Sequence, residues 1–308
     1  MKRIFIDGKA GTTGLRIEER LSQRDDIEIV TIPEELRKDP IKKKEILNSV
    51  DVAFLCLPDA AARESVSLIE NPDVVVIDTS TAHRTNEAWA YGFPELDPSF
   101  EEKIKSSKRI AVPGCHASGF IALVYPLVKN GFLSPDALLT AHSLTGYSGG
   151  GKKMIAEYED NELDMLLQGP RQYALTQKHK HLPEMSKITG LNNYPVFSPI
   201  VGTFYSGMEV TVPLFKSQLL KGGIEEIKEL YKSIYNTPIV RFCEDSEEGF
   251  LSSVKLEGYD SMQIEVYGNE DRMILVARYD NLGKGASGAA VECLNIVLGE
   301  EKTKTLVI

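Results

Sequence analysis

Residues 3–14, which read RIFIDGKAGTTG, decide the fold of this 308-residue chain. The apolar run that ends at Asp7 predicts a short strand, and helical spacing of apolar residues begins near Thr12. Between them, glycines allow a tight turn and a close approach of the backbone to a bound group. This order favours a dinucleotide site, with the pyrophosphate at the helix N-terminus, over a purely structural turn. The residues assigned to the dinucleotide are Gly8, Gly11, Thr12, Thr13 and Gly14.

The first third of the chain alternates apolar strands with helices. Strands are predicted at 3–7, 27–32, 52–57 and 74–77, and helices at 12–22, 40–48 and 60–69. Continuous apolar strands between helices are typical of a parallel sheet that is buried on both faces. The fold class is therefore α/β, with a doubly wound Rossmann-type nucleotide-binding domain. Pro58 closes the third strand at the sheet edge where ligands bind, and it is also assigned to the dinucleotide.

The middle of the chain changes to longer strands with few helices. Strands are predicted at 138–144, 199–205 and 208–214, an antiparallel pair at 262–266 and 273–279, and a helix at 224–235. Such a run indicates a second, α+β domain with a mostly antiparallel sheet. A last helix, rich in small residues, is predicted at 284–298.

Composition argues against several classes of protein. The net charge of −10 and the pI near 5.2 disfavour non-specific binding to nucleic acid or to an anionic membrane. No apolar run is long enough to span a bilayer, and the first strand leaves no room for a signal peptide. The four cysteines have neither metal-ligand spacing nor the density of a disulfide scaffold: Cys56, Cys115, Cys243 and Cys293. We expect a cytoplasmic protein without a metal.

Cys115 is the strongest candidate for a catalytic residue. A strand-like run ends at Pro113-Gly114, and apolar residues at 120, 123, 124 and 127 then follow helical spacing. The thiol therefore lies near a helix N-terminus, where the helix dipole favours an anion and lowers the pKa of the thiol. Most cysteines are small buried hydrophobic residues, but this context favours a reactive nucleophile.

A polar stretch at 173–185 supplies the base that a cysteine enzyme needs. His179 and His181 lie in it, and histidine transfers protons near neutral pH. Their contact with Cys115 depends on the fold, so a pair of surface histidines is the alternative. A metal site would need further ligands, which the neighbouring sequence lacks.

Two loops are candidates for binding an anionic substrate. Ser80 and Arg84 follow the fourth strand, and an arginine binds a carboxylate or a phosphate through two hydrogen bonds. A surface ion pair is the alternative for Arg84. The second loop, 146–152, is rich in glycine, and its backbone around Ser148 and Gly149 forms an anion nest unless the loop is merely flexible.

Charges after the second strand bear on the choice of dinucleotide. Glu34 lies where a carboxylate holds a ribose 2′-hydroxyl, which favours NAD. Arg37 and Lys38 lie where cations hold a 2′-phosphate, which favours NADP. A solvated run of charges is the third interpretation. We favour NADP(H).

Six motifs in combination resemble the shorter N-acetyl-γ-glutamyl-phosphate reductases of arginine biosynthesis, a family of the semialdehyde dehydrogenase superfamily. They lie at 7–14, 78–84, 113–115, 146–151, 179–184 and 281–288, and the resemblance covers nearly the whole chain. Aspartate-semialdehyde and glyceraldehyde-3-phosphate dehydrogenases, the wider relatives, commonly carry Asn or Thr beside the cysteine. Here Gly114 and His116 flank it, which favours the arginine-pathway group.

The resemblance implies a reaction and the residues that perform it. Cys115 attacks N-acetyl-γ-glutamyl phosphate to form a thioester, NADPH reduces the thioester to the semialdehyde, and His179 is the general acid/base. Tyr173 and His181 place the substrate. Residues beside the nicotinamide are Asn281, Gly283, Lys284 and Gly285.

The resemblance also implies a division into domains. Residues 1–116 and 285–308 form the NADP-binding domain, because the last helix returns to it, and residues 117–284 form the catalytic and oligomerisation domain. A homodimer or homotetramer is expected, with a small-molecule acyl phosphate as the substrate.

Two alternatives stay open. One is another dehydrogenase of the superfamily, such as an aspartate-semialdehyde dehydrogenase, which a panel of substrates would distinguish. The other is a nucleotide-binding redox sensor that uses Cys115 as its reactive thiol without turnover. The Ser80–Arg84 loop and the histidine stretch argue against a sensor, because a sensor does not require them.

Overall fold

The computed structural model describes residues 1–36, 39–162, 164–244 and 249–308. These residues form two compact units, each built from separate stretches of the chain. Unit 1 comprises Met1–Pro94, Pro98–Gly114 and Ala286–Leu306. Unit 2 comprises Glu95–Asp97, Cys115–Gly285 and Val307–Ile308.

The described residues form nine α-helices and thirteen strands. The helices are α1 (Thr12–Leu21), α2 (Pro40–Leu47), α3 (Asp59–Ser67), α4 (Pro98–Ser106), α5 (Cys115–Lys129), α6 (Gly151–Tyr158), α7 (Leu182–Thr189), α8 (Ile224–Ile234) and α9 (Gly288–Leu298). The strands are β1 (Lys2–Asp7), β2 (Ile27–Val30), β3 (Val52–Leu55), β4 (Val75–Asp78), β5 (Ala90–Tyr91), β6 (Arg109–Ala111), β7 (Thr140–Thr145), β8 (Arg171–Gln172), β9 (Val196–Val201), β10 (Met208–Phe215), β11 (Val240–Phe242), β12 (Met262–Gly268) and β13 (Arg272–Tyr279).

Unit 1 is a parallel sheet with helices on both faces. Its strand order is β2-β1-β3-β4-β6-β5, and every pairing is parallel. Because successive residues of a strand point to opposite faces, Ile4 and Phe5 enter two separate cores. Side chains of α1, α4 and α9 complete the first core, and side chains of α2 and α3 complete the second. The predicted doubly wound Rossmann-type domain is confirmed.

Unit 2 is built on a seven-stranded mixed sheet. The strand order is β11-β12-β13-β10-β7-β9-β8, and four of its six junctions are antiparallel. The β11–β12 and β7–β9 junctions are parallel. The antiparallel pair predicted at 262–266 and 273–279 is the β12–β13 hairpin, with Met262 opposite Tyr279.

Helix α5 is almost wholly buried, and its centre is held by hydrogen bonds from α8 and the residue that follows it. Pro126 lies inside α5 and has no N–H, so the carbonyl of Ala122 loses its usual donor within the helix. The hydroxyl of Tyr235 donates to that carbonyl at 2.6 Å, and the hydroxyl of Tyr231 donates to Leu123 O at 2.5 Å. Both rings are buried, so these bonds satisfy polar atoms that water does not reach.

Several sequence predictions need correction. The strand predicted at 199–205 is β9, Val196–Val201, because its partner strand β7 ends at Thr145, which pairs with Val201. The helix predicted from 284 begins as a wide turn at Gly283–Ser287, and α9 proper starts at Gly288. Helix α4 and strand β5 were not predicted, because both are short and their apolar residues show no clear period.

None of the described helices combines the length and the apolar composition that a membrane-spanning segment requires.

Candidate functional site

Cys115 is the first residue of α5, as its sequence context predicts. The first turn of this helix contains no acidic residue, so its N–H groups and dipole favour a thiolate there. The hydroxyl of Tyr279 accepts a hydrogen bond from Gly119 N at 2.9 Å and donates one to Cys115 O at 2.5 Å. Tyr279 therefore fixes both ends of the turn that carries the nucleophile. A side chain at Gly119 would come within 2.7 Å of that hydroxyl.

Three histidines and a tyrosine gather beside this turn. His116, the residue after the cysteine, is the hub: its ring centroid lies 5.6 Å from that of His179 and 5.6 Å from that of His181. Its Nδ1 lies 2.7 Å from Ser143 Oγ, and its Nε2 lies 2.7 Å from the hydroxyl of Tyr173. The fold thus joins Tyr173, His179 and His181. In the described ranges, no three His, Cys, Asp or Glu side chains are grouped as metal ligands.

Burial keeps the two central histidines uncharged. It lowers the pKa of His116 from an ordinary value near 6.5 to about 3, with help from the charges of His179 and Lys180. It lowers the pKa of His179 to about 4, again assisted by Lys180. Neutral His179 accepts a hydrogen bond at Nδ1 from His181 N, at 3.3 Å, so its own proton is on Nε2. At neutral pH the His179 ring is therefore uncharged, and its Nε2–H is available as a hydrogen-bond donor.

These depressed pKa values predict that the protein loses stability as the pH falls from about 6.5 towards 4. In this window the unfolded chain binds protons at both histidines, whereas the folded chain does not, so protonation favours unfolding. Fully buried His116 contributes a slope of up to about 1.4 kcal/mol per pH unit. Urea unfolding at several pH values measures the free energy of unfolding.

The matched variants are His116→Gln and His142→Gln, because His142 is exposed on β7. The slope between pH 6.5 and 4 should become shallower in His116→Gln and stay unchanged in His142→Gln. An unchanged slope in both variants would show that the burial of His116 does not control the acid response.

Gln177 pins the loop that carries Tyr173 and His179 to the sheet. Its side-chain amide donates to Phe197 O at 2.8 Å and accepts from Phe197 N at 2.9 Å, as a strand residue would. The loop backbone has positive φ at Ala174 (53°) and Gln177 (55°), a conformation that costs about 1–3 kcal/mol at residues other than glycine. The double contact to Phe197 offsets part of that strain. The Phe197 ring also packs edge-on against His116 and His179, 5.3 and 5.1 Å between centroids.

The segment predicted to face the nicotinamide packs closely within unit 2, near the turn that carries the nucleophile. A side chain at Gly285 would lie 3.2 Å from Cys115 Cβ and 3.0 Å from Asp280 O. Lys284 Nζ lies 2.8 Å from each carboxylate oxygen of Glu95, and both side chains are buried. A side chain at Gly283 would lie 2.0 Å from Tyr259 O. The Lys284 ammonium thus forms a buried ion pair with Glu95 inside unit 2. Removing one partner of such a pair lowers the free energy of unfolding by about 3–5 kcal/mol.

Asn281 links this segment to the glycine-rich loop after β7. Its Nδ2 donates to Ser148 Oγ at 3.0 Å, and its Oδ1 accepts from Gly207 N at 2.9 Å. A side chain at Gly149 would lie 3.4 Å from the same amide nitrogen. Ser148 is fully buried, so the loop is ordered by these bonds.

The glycine turn after β1 is closely packed, and the helix that follows it starts without a side-chain cap. Gly8 has φ +88°, and a side chain there would lie 2.2 Å from Cys56 O. A side chain at Gly14 would lie 2.6 Å from Gly8 O. Helix α1 starts at Thr12 and Thr13 with no side-chain cap and no acidic residue in its first turn, so these N–H groups suit an anion. Pro58 is the N-cap of α3, at the carboxyl end of β3.

The loop after β4 is held together by its own side chains. Ser80 Oγ donates to Asp78 Oδ2 at 2.7 Å, and His83 Nδ1 lies 2.7 Å from the same oxygen. Arg84 donates from Nε to Val112 O and from NH2 to Thr79 O, both at 2.8 Å. Ser80 and Arg84 are both buried in unit 1, so these bonds shape the loop itself. Arg37, Lys38 and the side chain of Glu34 lie outside the described residues.

Sequence reasoning gave no role to four residues of this site: His116, Ser143, Gln177 and Tyr279. His116 had one signal, its position directly after the cysteine. Ser143 had a weaker one, because β7 alternates buried and less buried residues and places a serine on the buried face. Gln177 and Tyr279 act through contacts with residues distant in sequence, which no local pattern reveals.

Comparisons with known proteins place the chain in a family. Residues 12–106 match the semialdehyde dehydrogenase NAD binding domain, and residues 115–281 match the semialdehyde dehydrogenase dimerisation domain. N-acetyl-gamma-glutamyl-phosphate reductase 2 of Nostoc sp. is 44% identical, over 96% of this chain and 97% of its own. The N-acetyl-gamma-glutamyl-phosphate reductase of Chelativorans sp. is 45% identical, over 96% and 98%.

Solved structures agree on the fold. Aspartate semialdehyde dehydrogenase from Francisella tularensis aligns over 97% of this chain and 100% of its own, with a TM-score of 0.72 and 15% identity. Aspartate semialdehyde dehydrogenase with NADP from Candida albicans aligns over 97% and 98%, with a TM-score of 0.70 and 16% identity. With relatives at 44–45% identity over almost its full length, the chain belongs to the N-acetyl-γ-glutamyl-phosphate reductases, a family of semialdehyde dehydrogenases.

Proposed function

We propose that the protein reduces N-acetyl-γ-glutamyl phosphate with NADPH, giving N-acetylglutamate semialdehyde and phosphate, in arginine biosynthesis. The observation that carries this proposal is the position of Cys115. It is the first residue of a buried helix, a side chain at Gly285 would lie 3.2 Å from its Cβ, and a cluster of neutral histidines lies beside it. The names of the relatives supply the substrate.

The chemistry starts at the Cys115 thiolate, which attacks the acyl carbon while phosphate leaves, so that a thioester forms. NADPH, when bound, supplies the hydride that reduces this thioester. N–H groups at the start of α5 and the Nε2–H of His179 donate to the oxyanion that develops. The oxyanion re-forms the carbonyl as the C–S bond breaks, while His179 keeps its Nε2 proton and stabilises the oxygen by a hydrogen bond. The phosphate that departed in the first step takes up its proton from solvent. The semialdehyde leaves, and the thiolate is restored.

Further residues are assigned to binding. Tyr173 and His181 place the substrate at Cys115, and we assign anion binding to Ser80, Arg84, Ser148 and Gly149. The cofactor residues are Gly8, Gly11, Thr12, Thr13, Gly14, Pro58, Asn281, Gly283, Lys284 and Gly285. Arg37 and Lys38 would hold the 2′-phosphate, which makes NADP the preferred dinucleotide.

The proposal extends to organisation and location. Residues 1–116 and 285–308 serve as the NADP-binding domain, and residues 117–284 as the catalytic and oligomerisation domain, in a homodimer or homotetramer. The two compact units support this division, and the match of 115–281 to a dimerisation domain supports an oligomer. We assign the protein to the cytoplasm; none of the four cysteines, all of which lie in the described ranges, forms a disulfide.

The decisive assay runs the reaction in reverse. We expect NADP⁺ reduction with N-acetylglutamate semialdehyde to require phosphate, because phosphate must release the acyl group from Cys115. Aspartate semialdehyde and NAD⁺ serve as parallel comparisons. Turnover of aspartate semialdehyde alone would keep the chemistry and change the substrate. Bound nucleotide without turnover of either semialdehyde would favour a carrier-linked substrate or a redox sensor and contradict the proposed reaction.

A further inference from the structure

Ser143, His116 and Tyr173 form a continuous hydrogen-bonded chain in the cluster beside Cys115. Ser143 lies on β7 and is fully buried, and His116 is 3% exposed. The distances along the chain are 2.7 Å from Ser143 Oγ to His116 Nδ1 and 2.7 Å from His116 Nε2 to the hydroxyl of Tyr173. These three residues are contributed by β7, α5 and the loop after β8.

The direction of these hydrogen bonds follows from the protons available. Burial keeps the pKa of His116 near 3, so the ring is neutral and carries one proton. Within the described ranges, the Ser143 hydroxyl has one side-chain partner, His116 Nδ1. A buried hydroxyl without an acceptor costs about 1–3 kcal/mol, so Ser143 donates to Nδ1. The histidine proton is then on Nε2, and it is donated to the oxygen of Tyr173.

The hydroxyl proton of Tyr173 is consequently left to point into the site. The ring nitrogen already donates to its oxygen, so Tyr173 has no reason to donate back. The hydroxyl remains protonated at neutral pH, because burial and the neighbouring Cys115 thiolate raise its pKa. The Tyr173 hydroxyl is hydrogen-bonded to His116, which directly follows Cys115 in α5, so it lies on the side of the site where the substrate would be bound. Successive donors also polarise one another, which strengthens the last bond of the chain.

We propose that Ser143 and His116 are positioning residues, which orient the Tyr173 hydroxyl as a hydrogen-bond donor to the oxyanion that forms on the group bound at Cys115. This inference rests on the proposed reductase function for its kinetic consequences. Tyr173 touches the reacting atoms, whereas Ser143 and His116 act only through it. His116 thus fixes a tautomer and transfers no proton.

The tautomer can be tested without turnover. Full-length protein labelled with ¹⁵N at the histidine rings is examined by NMR, which distinguishes a protonated ring nitrogen from an unprotonated one. We expect Nε2 of His116 to carry the proton in the wild type. In Ser143→Ala we expect the tautomer with the proton on Nδ1 to become more populated, because no hydroxyl then donates to Nδ1 and fixes it as an acceptor. Protonation at Nδ1 in the wild type would overturn the proposal, even if the protein turned over no acyl phosphate.

Kinetics then separate positioning from a structural role. We expect Tyr173→Phe to lower kcat about 100-fold, as for loss of one oxyanion donor, with little change in KM. Ser143→Ala should lower kcat about tenfold, and Ser143→Thr, which keeps the hydroxyl, should recover most of it. The double variant Ser143→Ala/Tyr173→Phe should be no slower than Tyr173→Phe. If the two effects multiply instead, Ser143 does not act through Tyr173.

The two proposals fail in different ways. A wild-type protein that does not reduce N-acetyl-γ-glutamyl phosphate contradicts the proposed function, and the NMR result still decides the hydrogen-bond chain. A wild-type reductase with Nδ1 of His116 protonated contradicts the chain alone.

Discussion

Replacing Cys115 with serine is expected to lower kcat by about 10⁴-fold or more and to leave NADPH binding unchanged. A serine hydroxyl does not ionise near neutral pH, so the helix N-terminus that favours a thiolate has no anion to stabilise. Loss of a catalytic nucleophile in other enzymes lowers kcat by up to about 10⁶-fold. Steady-state assays with the acyl phosphate measure kcat, and titration with NADPH measures the dissociation constant.

Cys243→Ser is the matched control for this substitution. Cys243 also belongs to unit 2 and is half-buried, and burial raises the pKa of its thiol. Turnover in this variant should match that of the wild type. Substantial activity in Cys115→Ser, with normal folding, would remove the thioester from the mechanism and with it the proposed role of α5.

The identity of the nucleophile could be predicted because its signal is local. The run to Pro113-Gly114 and the helical spacing after it are properties of neighbouring residues, and they place Cys115 at the start of α5. The roles of Ser143, Gln177 and Tyr279 could not be predicted in this way. Each depends on a hydrogen bond to a residue at least 20 positions away in the sequence. Such contacts form only in the folded chain, so a local pattern does not reveal them.

For Ser80 and Arg84 the local sequence suggested a role in substrate binding, but the contacts that the structure shows are internal. Ser80 and Arg84 follow a strand, and their residue types suit an anionic substrate. The structure shows both polar groups bonded to Asp78 and to backbone carbonyls of the same unit. The sequence shows that an arginine is present and can bind an anion, but it does not show which oxygen atoms Arg84 contacts in the folded protein. Their substrate role stays a prediction.

The fold was easier to predict from the sequence than the site, because the spacing of apolar residues along the chain indicates which faces are buried. The central strands β3 and β4 of unit 1 are buried at every position, whereas β10 of unit 2 alternates buried and less buried residues. This difference distinguishes a sheet buried on both faces from a sheet with two different faces. Strand ends were less accurate. Strand β9 ends at Val201 and not at 205, because β7, with which it pairs, ends at Thr145 opposite Val201. Hydrogen bonds between segments decide such boundaries.

Substituting alanine for Gly8 should lower the free energy of unfolding by about 3 kcal/mol or more and should abolish tight NADPH binding. The new Cβ would lie 2.2 Å from Cys56 O and 2.9 Å from Cys56 C, both backbone atoms, at a φ of +88° that alanine rarely adopts. Cys56 has little room to retreat, because its N–H donates to Asp7 O at 2.8 Å. Urea unfolding and NADPH titration measure the two effects.

Gly11→Ala, in the same turn, separates the packing of the turn from its contact with the cofactor. The nearest atom to a Cβ at Gly11 is Gly8 O, at 3.4 Å, an ordinary contact. Its φ of −76° also suits alanine, so we expect a change in stability below about 1 kcal/mol. If Gly11→Ala nonetheless loses NADPH affinity, the backbone of this turn approaches the pyrophosphate, as the proposed cofactor site requires. A Gly8→Ala protein as stable as the wild type would refute the steric argument, because a Cβ placed 2.2 Å from Cys56 O must displace the backbone.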